Sequence, residues 1–324
     1  MVLRGRNRIR SSAAAATMSG QWQPLPLEQW RPTMDTLHMW TQIVGKTSLA
    51  LAPMQNHWWQ VTLHVTPRGL ATSPLPWGSL TLDIEFDFLD HVLAIRTSDG
   101  DRRSMSLSPR SVADFYQEYF AALSSLGVHP RIRPVPVEVE TAIPFADDRV
   151  HAAYDADAAQ RHWRILVDVD KVLRRFHGRF MGKASPVHFF WGSFDLAMTR
   201  FSGRQAPRHR GGAPNCPDHV MVEAYSRECA SFGFWAGGGA VPDPAFYAYA
   251  YPEPSGFSDA HVHPAASSYV RELGEFVLPY ESVRTASNPE QLILDFFQSV
   301  YDAAAELGQW DRKLLEAWRR EDDL

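Results

Sequence analysis

Cysteine is almost missing from this chain of 324 residues: Cys216 and Cys229 are too few to staple a protein of this size, which points to a reducing compartment and a cytoplasmic protein. Also missing is an apolar run of roughly eighteen residues free of charge or proline, so no membrane span is expected. Charge of one sign is not in excess either. The formal net charge is −5 and the largest basic cluster, Arg204 to Arg210, is a short loop, so nucleic acid is not an expected partner. Catalytic signatures are scarce. Gly45, Lys46 and Thr47 end like a phosphate-binding loop, but Trp40 stands where its first glycine belongs and the preceding segment reads as helix rather than strand. No serine lies in a Gly-x-Ser-x-Gly elbow, neither cysteine has a histidine-and-acid setting, and no spacing matches a zinc signature. At 45% hydrophobic and 21% charged, what remains is ordinary globular composition, which excludes disorder, collagen and coiled coil.

Residues 1–20, with Arg4, Arg6, Arg8, Arg10 and an alanine run, read as a disordered extension; a true start near Met18 is the leading explanation and a transit peptide the alternative. The next signals are periodic. Trp59, Val61, Leu63 and Val65 alternate with Gln60, Thr62, His64 and Thr66, predicting a strand over 57–66. Leu80 to Phe88 alternates again and places Asp83, Glu85 and Asp87 on a face expected to be solvated. Val92 to Thr97 turns through Ser98, Asp99 and Gly100 into a returning strand. Ser108 and Pro109 read as the start of an amphipathic helix closed by Gly127, and a longer helix follows Asp155 as far as Gly182. Strand character resumes from Val187 to Arg200, Tyr225 to Trp235, Phe246 to Tyr251 and Phe276 to Tyr280. A final helix capped by Asn288 and Pro289 ends at Gly308.

These elements specify an α+β fold, antiparallel sheets flanked by long helices. Their order repeats: a helix, a Gly-Lys pair (Gly45–Lys46, Gly182–Lys183), a histidine followed by two aromatics (His57, His188), strands and a closing helix. Two related halves about a pseudo-twofold axis are the expectation, 21–135 and 151–324, joined by a linker at 136–150.

Chemistry-bearing residues lie on or beside the strands that such halves bring together. His188 sits among aromatics, where an imidazole either finds a partner or shifts its pKa. His57 and His64, seven apart, point to opposite faces of an unbroken strand, and the same count separates His188 from Asp195. Lys46 and Lys183 read as helix ends, where a cation meets the dipole; a lysine whose pKa burial lowers into an amine nucleophile is the alternative. Tyr247, Tyr249 and Tyr251 share one sheet face, as core or pocket wall.

The stretches Leu37 to Pro53, Asn56 to Pro76, Ser185 to Arg204 and Tyr247 to Pro254 carry long and unusual strings. Through them the chain resembles a functionally unassigned family of bacterial proteins, a domain of unknown function, over nearly everything after the first twenty residues. The resemblance implies a stand-alone cytosolic protein and no particular substrate. Asn56, Trp191 and Glu253 fall inside the matching strings and join the candidates for substrate binding.

The expected function is an enzyme or binder of a small anionic metabolite in a cleft between the halves. Arg68 and Arg200 hold its carboxylate or phosphate, Asp195 orients or accepts a proton, and His188 and His57 act as acid or base. A non-catalytic interaction module and a metal-dependent enzyme are the alternatives. The sequence assigns no metal ligands, no cofactor and no oligomeric state.

Overall fold

The computed structural model describes residues 22–316, so the expected extension at 1–20 lies outside the described residues. Helix α1 (Leu27–Leu51) and a 3₁₀ segment (Asn56–Val61) lead into β1 (Leu63–Val65), β2 (Gly69–Thr72), β3 (Leu75–Trp77), β4 (Leu80–Asp87), β5 (Val92–Thr97) and β6 (Arg102–Ser106). Helices α2 (Val112–Ser124) and α3 (Ala156–His177) precede β7 (His188–Phe190), β8 (Asp195–Gln205), α4 (Asp218–Ala224), β9 (Arg227–Trp235), β10 (Ala245–Tyr251), β11 (Ser268–Val270) and β12 (Glu275–Pro279). Helices α5 (Tyr280–Arg284), α6 (Pro289–Leu307) and α7 (Arg312–Leu315) follow. The fold is α+β, as the periodicities predict.

All twelve strands join one antiparallel sheet in the order β11-β12-β10-β9-β8-β7-β1-β2-β4-β5-β6, with β3 beside β4. Strands 63–106 and strands 188–279 meander outward in opposite directions from the central β1–β7 pair, where Leu63 faces Phe189. The pleat gives this sheet two unlike faces. One is largely apolar, from Ile95, Ile84 and Leu70 through Leu63 and Phe189 to Leu196, Phe232, Phe246 and Leu278, all buried. Rings carried by helices close it: Phe115 of α2 stacks on Trp40 and Phe86, and Phe176 of α3 and Phe297 of α6 meet Phe232. The other face is polar at the β4–β5 end, where Arg96 bonds Asp83 at 2.7 Å and also pairs with Glu85, while Arg68 pairs with Asp87. Of the three carboxylates expected in solvent, Glu85 and Asp87 are buried; alternation correctly placed them off the core, but arginines cover them.

Four expectations need correction. The strand predicted over 57–66 is a 3₁₀ segment up to Val61, with left-handed backbone at His57 (φ 57°) and Trp58 (φ 61°). Contacts with α4 divert it: Trp58 Nε1 donates to the Val220 carbonyl at 3.0 Å and His57 Nδ1 lies 2.9 Å from the Ala224 carbonyl. Lys46 does not end a helix, because α1 continues to Leu51, just ahead of Pro53; Lys183 lies in no helix. The cap of α2 is Ser111, whose side chain accepts from Asp114 N, rather than Ser108, and α3 stops at Gly178 rather than Gly182. Finally, the face count from His188 to Asp195 fails because Trp191–Phe194 is a turn. His188 pairs with Ala197 and Phe190 with Asp195, so His188 and Asp195 share one face.

The segment expected as a linker is pinned to the fold. Gln42 bonds both the N–H and the carbonyl of Val137, each at 2.9 Å, and Phe145 is fully buried.

Candidate functional site

Across β8, β9, β10 and β12 the second sheet face carries Asp195, Thr199, Ser231, Trp235, Tyr247, Tyr249 and Glu275, and it is not packed by the long helices. It is roofed instead by the 3₁₀ segment, by α4 and by the loops around residues 133–138 and 216–217. Between face and roof lies a cavity of about 550 Å³. Its walls are largely aromatic, with Trp58, Trp59, Phe190, Trp191, Trp235 and Tyr249, a lining suited to a small organic molecule held by a few polar groups.

One end is acidic. Tyr247 donates to Asp195 Oδ2 and Ser193 to Asp195 Oδ1. Gly233 makes the first bond geometrically available: Tyr247 stands on β10, Asp195 on β8, and the tyrosine ring crosses β9 where any Cβ on Gly233 would overlap it. Asp195 retains 5% of its surface, and burial raises its pKa to about 6 despite these two donors. Burial, followed by the nearby charge of Asp195, raises both Glu138 and Glu275 to about 7. Glu138 is exposed and lines the cavity; its carboxyl group lies over Gly192, where a side chain would displace it. Neither glutamate has an ion-pair partner among the described residues.

Removing the Tyr247 hydroxyl should therefore move Asp195 further. The bond favours the ionised form, so Tyr247→Phe is expected to raise the Asp195 pKa above about 6 by roughly one unit. The sign for stability follows from linkage. An aspartate raised from 3.8 to about 6 on folding stabilises the native state below about pH 4, and that contribution is lost as pH rises through about 6. In the variant the loss extends to higher pH. Carboxyl carbon NMR across pH 4–9 and denaturant melts along the same range measure both; an unchanged Asp195 titration contradicts the bond.

The other end is basic. Lys46 lines the cavity while retaining 4% of its surface. Its Nζ lies 5.7 Å from the centre of the Trp191 ring and has no hydrogen-bond or ion-pair partner among the described residues. Burial, reinforced by the charge of Arg133, pushes this ammonium down to about 8. Arg133 also lines the cavity, and its guanidinium makes a 3.5 Å contact with the Asn215 carbonyl. Cys216 stands within the influence of Lys46, Arg133 and Glu138, but burial pushes its thiol up to about 11, so it is no ready nucleophile. A third polar group sits at the 3₁₀ segment, where Lys183 Nζ lies 2.7 Å from His57 Nε2.

The structure thus brings Asp195, Trp191 and His57 together at the cavity and leaves the other candidates outside its lining. His188 shares the Asp195 face but is buried against His64, Trp59 and Phe190; its Nδ1 is unpartnered, and burial pushes its pKa down to about 3, so the ring is neutral. Arg200 points to the helix side, Arg68 to the ion pairs beside β4, and Asn56 is exposed. Glu253 accepts from Tyr269 at the surface. Sequence reasoning missed Arg133, Glu138 and Glu275 as site residues, and gave Lys46 and Tyr247 only as alternatives to a structural role. For Lys46 a signal existed in its own helix, where Ile43, Val44, Thr47 and Ser48 are buried around it and a cation therefore stands among residues that face the core. No group of three or more His, Cys, Asp or Glu among the described residues is placed to share a metal ion.

The chain belongs to a family described as a family of unknown function (DUF5996), whose profile matches residues 22–317. No curated protein and no solved structure matches it. No helix among the described residues is long and apolar enough to cross a membrane.

Proposed function

We propose that this member of the family is a cytoplasmic enzyme or binder of a small organic anion, held in the aromatic cavity between Lys46 and Arg133 at one end and the Asp195–Tyr247 pair at the other. The observation that carries the reading is Lys46: a buried ammonium without a counter-ion is costly unless something supplies the missing charge, and its nitrogen borders the cavity. The role first assigned to Arg68 and Arg200 passes to Lys46 and Arg133. At the far end the protonated share of Asp195, Glu138 or Glu275 donates to a polar group of the ligand, and the ring faces take its apolar part.

A thermal-shift panel of small carboxylates and phosphates tests this, since a ligand that binds the native state alone raises its stability. At a hundredfold excess over Kd the gain is about 2.7 kcal/mol. At least one anion is expected to stabilise the wild type, to change the emission of the tryptophans in the cavity wall, and to do neither in Lys46→Met. A panel in which neutral analogues act as well as the anions contradicts the reading.

A further inference from the structure

We propose that Lys46 is a covalent residue: its amine forms an imine with the carbonyl carbon of a small 2-oxo acid whose carboxylate is held by Arg133. The inference rests on the cavity reading above and adds a reaction to it. Lys46, Lys171, Lys183 and Lys313 are the lysines of the chain, and they differ in setting. Lys171 pairs with Asp168 at 2.8 Å on the surface, Lys183 is engaged by His57, and Lys313 is exposed. Lys46 alone of these is buried in a cavity wall without a polar partner, so its nitrogen has no salt bridge to break before reacting.

The groups facing it favour the neutral amine. Trp191 covers it from the β7–β8 turn, Arg133 adds a like charge from the loop after α2, and the Cys216 thiol approaches from the loop before α4. Desolvation beside a second cation is how an amine is made nucleophilic near neutral pH. The cavity also holds an acid, Glu138, whose charge reaches the same Cys216 as that of Lys46.

The step balances with these parts. The amine attacks the carbonyl carbon, a C–N bond forms, and the carbonyl π pair moves to oxygen. That oxygen leaves as water, carrying one amine proton and one proton from the carboxyl group of Glu138. A cationic imine on Lys46 and a carboxylate on Glu138 result, and nothing is oxidised or reduced.

Glyoxylate with sodium cyanoborohydride, followed by peptide mass mapping of the full chain, is the test, because the hydride converts the imine into a stable secondary amine. The expected result is an adduct on Lys46 formed about tenfold faster than on Lys171, with its rate half-maximal near pH 8 rather than near the ordinary lysine value of about 10.4. Oxalate, which has the charge but no reactive carbonyl, should slow it. The Lys46→Met variant, checked for a wild-type circular dichroism spectrum, should lose that adduct and keep the slow one on Lys171. Lys46 left unmodified, or modified no faster than Lys171, overturns the proposal. If oxalate still stabilises the wild type in that case, the anion site survives and only the imine is lost; if it does not, the cavity reading fails with it.

Discussion

Arg200→Ala is expected to cost about 3–5 kcal/mol of stability while leaving ligand binding by the folded protein intact. Arg200 retains 1% of its surface and lies on the helix side of β8, away from the cavity. Its guanidinium is caged by rings, with centroids at 3.5 Å for Phe176, 4.5 Å for Tyr301, 5.0 Å for Phe180 and 5.9 Å for Phe232. It also donates to the Phe176 carbonyl in the last turn of α3, which the Arg179 N–H reaches as well at 3.3 Å. Alanine removes the cation–π contacts and that hydrogen bond and empties the cage. Arg200→Met refills the volume without the charge, so it should recover a large part of the loss, as apolar replacements of buried charges often do. Urea melts of the three proteins measure this. An unchanged melt combined with loss of anion binding would return Arg200 to the binding role that its sequence position suggested.

Gly45→Leu is expected to destabilise by about 3 kcal/mol or more and to reshape the cavity at the same time. The Trp191 indole rests directly on the α1 backbone at Gly45, in the space any side chain there needs, and donates to the Val61 carbonyl at 2.7 Å. Leucine gains about 1 kcal/mol of helix propensity over glycine but evicts a large buried ring. The two residues should therefore couple. Adding Trp191→Ala to Gly45→Leu makes room for the leucine, and a double-mutant cycle should give an interaction of about 1 kcal/mol or more in favour of the pair. Additive losses contradict the packing described.

Most strands and long helices were legible because each has one buried face. Val92–Thr97 and the Asn288-capped α6 emerge at the residues that alternation and capping indicate. What misled the reading was tertiary. Trp59 and Val61 alternate like a strand, yet hydrogen bonds from His57 and Trp58 to α4 hold a left-handed turn there. Counting along the chain from His188 to Asp195 missed the turn between them and so assigned opposite faces to residues that share one. The candidate site was half legible for the same reason. Asp195, Trp191 and His57 stand in unusual local strings, whereas Lys46, Arg133 and Glu275 owe their position to segments far apart in sequence. Arginines were chosen as anion holders by type; burial in a ring cage and ion pairing at the surface left Arg200 and Arg68 elsewhere.

A crystal structure of the wild type grown with the anion that most strongly stabilises it measures the central claim directly. Ligand density inside the cavity, with an acidic oxygen within hydrogen-bonding distance of Lys46 Nζ, is the result this account predicts. An occupied site elsewhere on the molecule, with Lys46 still facing empty cavity, would contradict it.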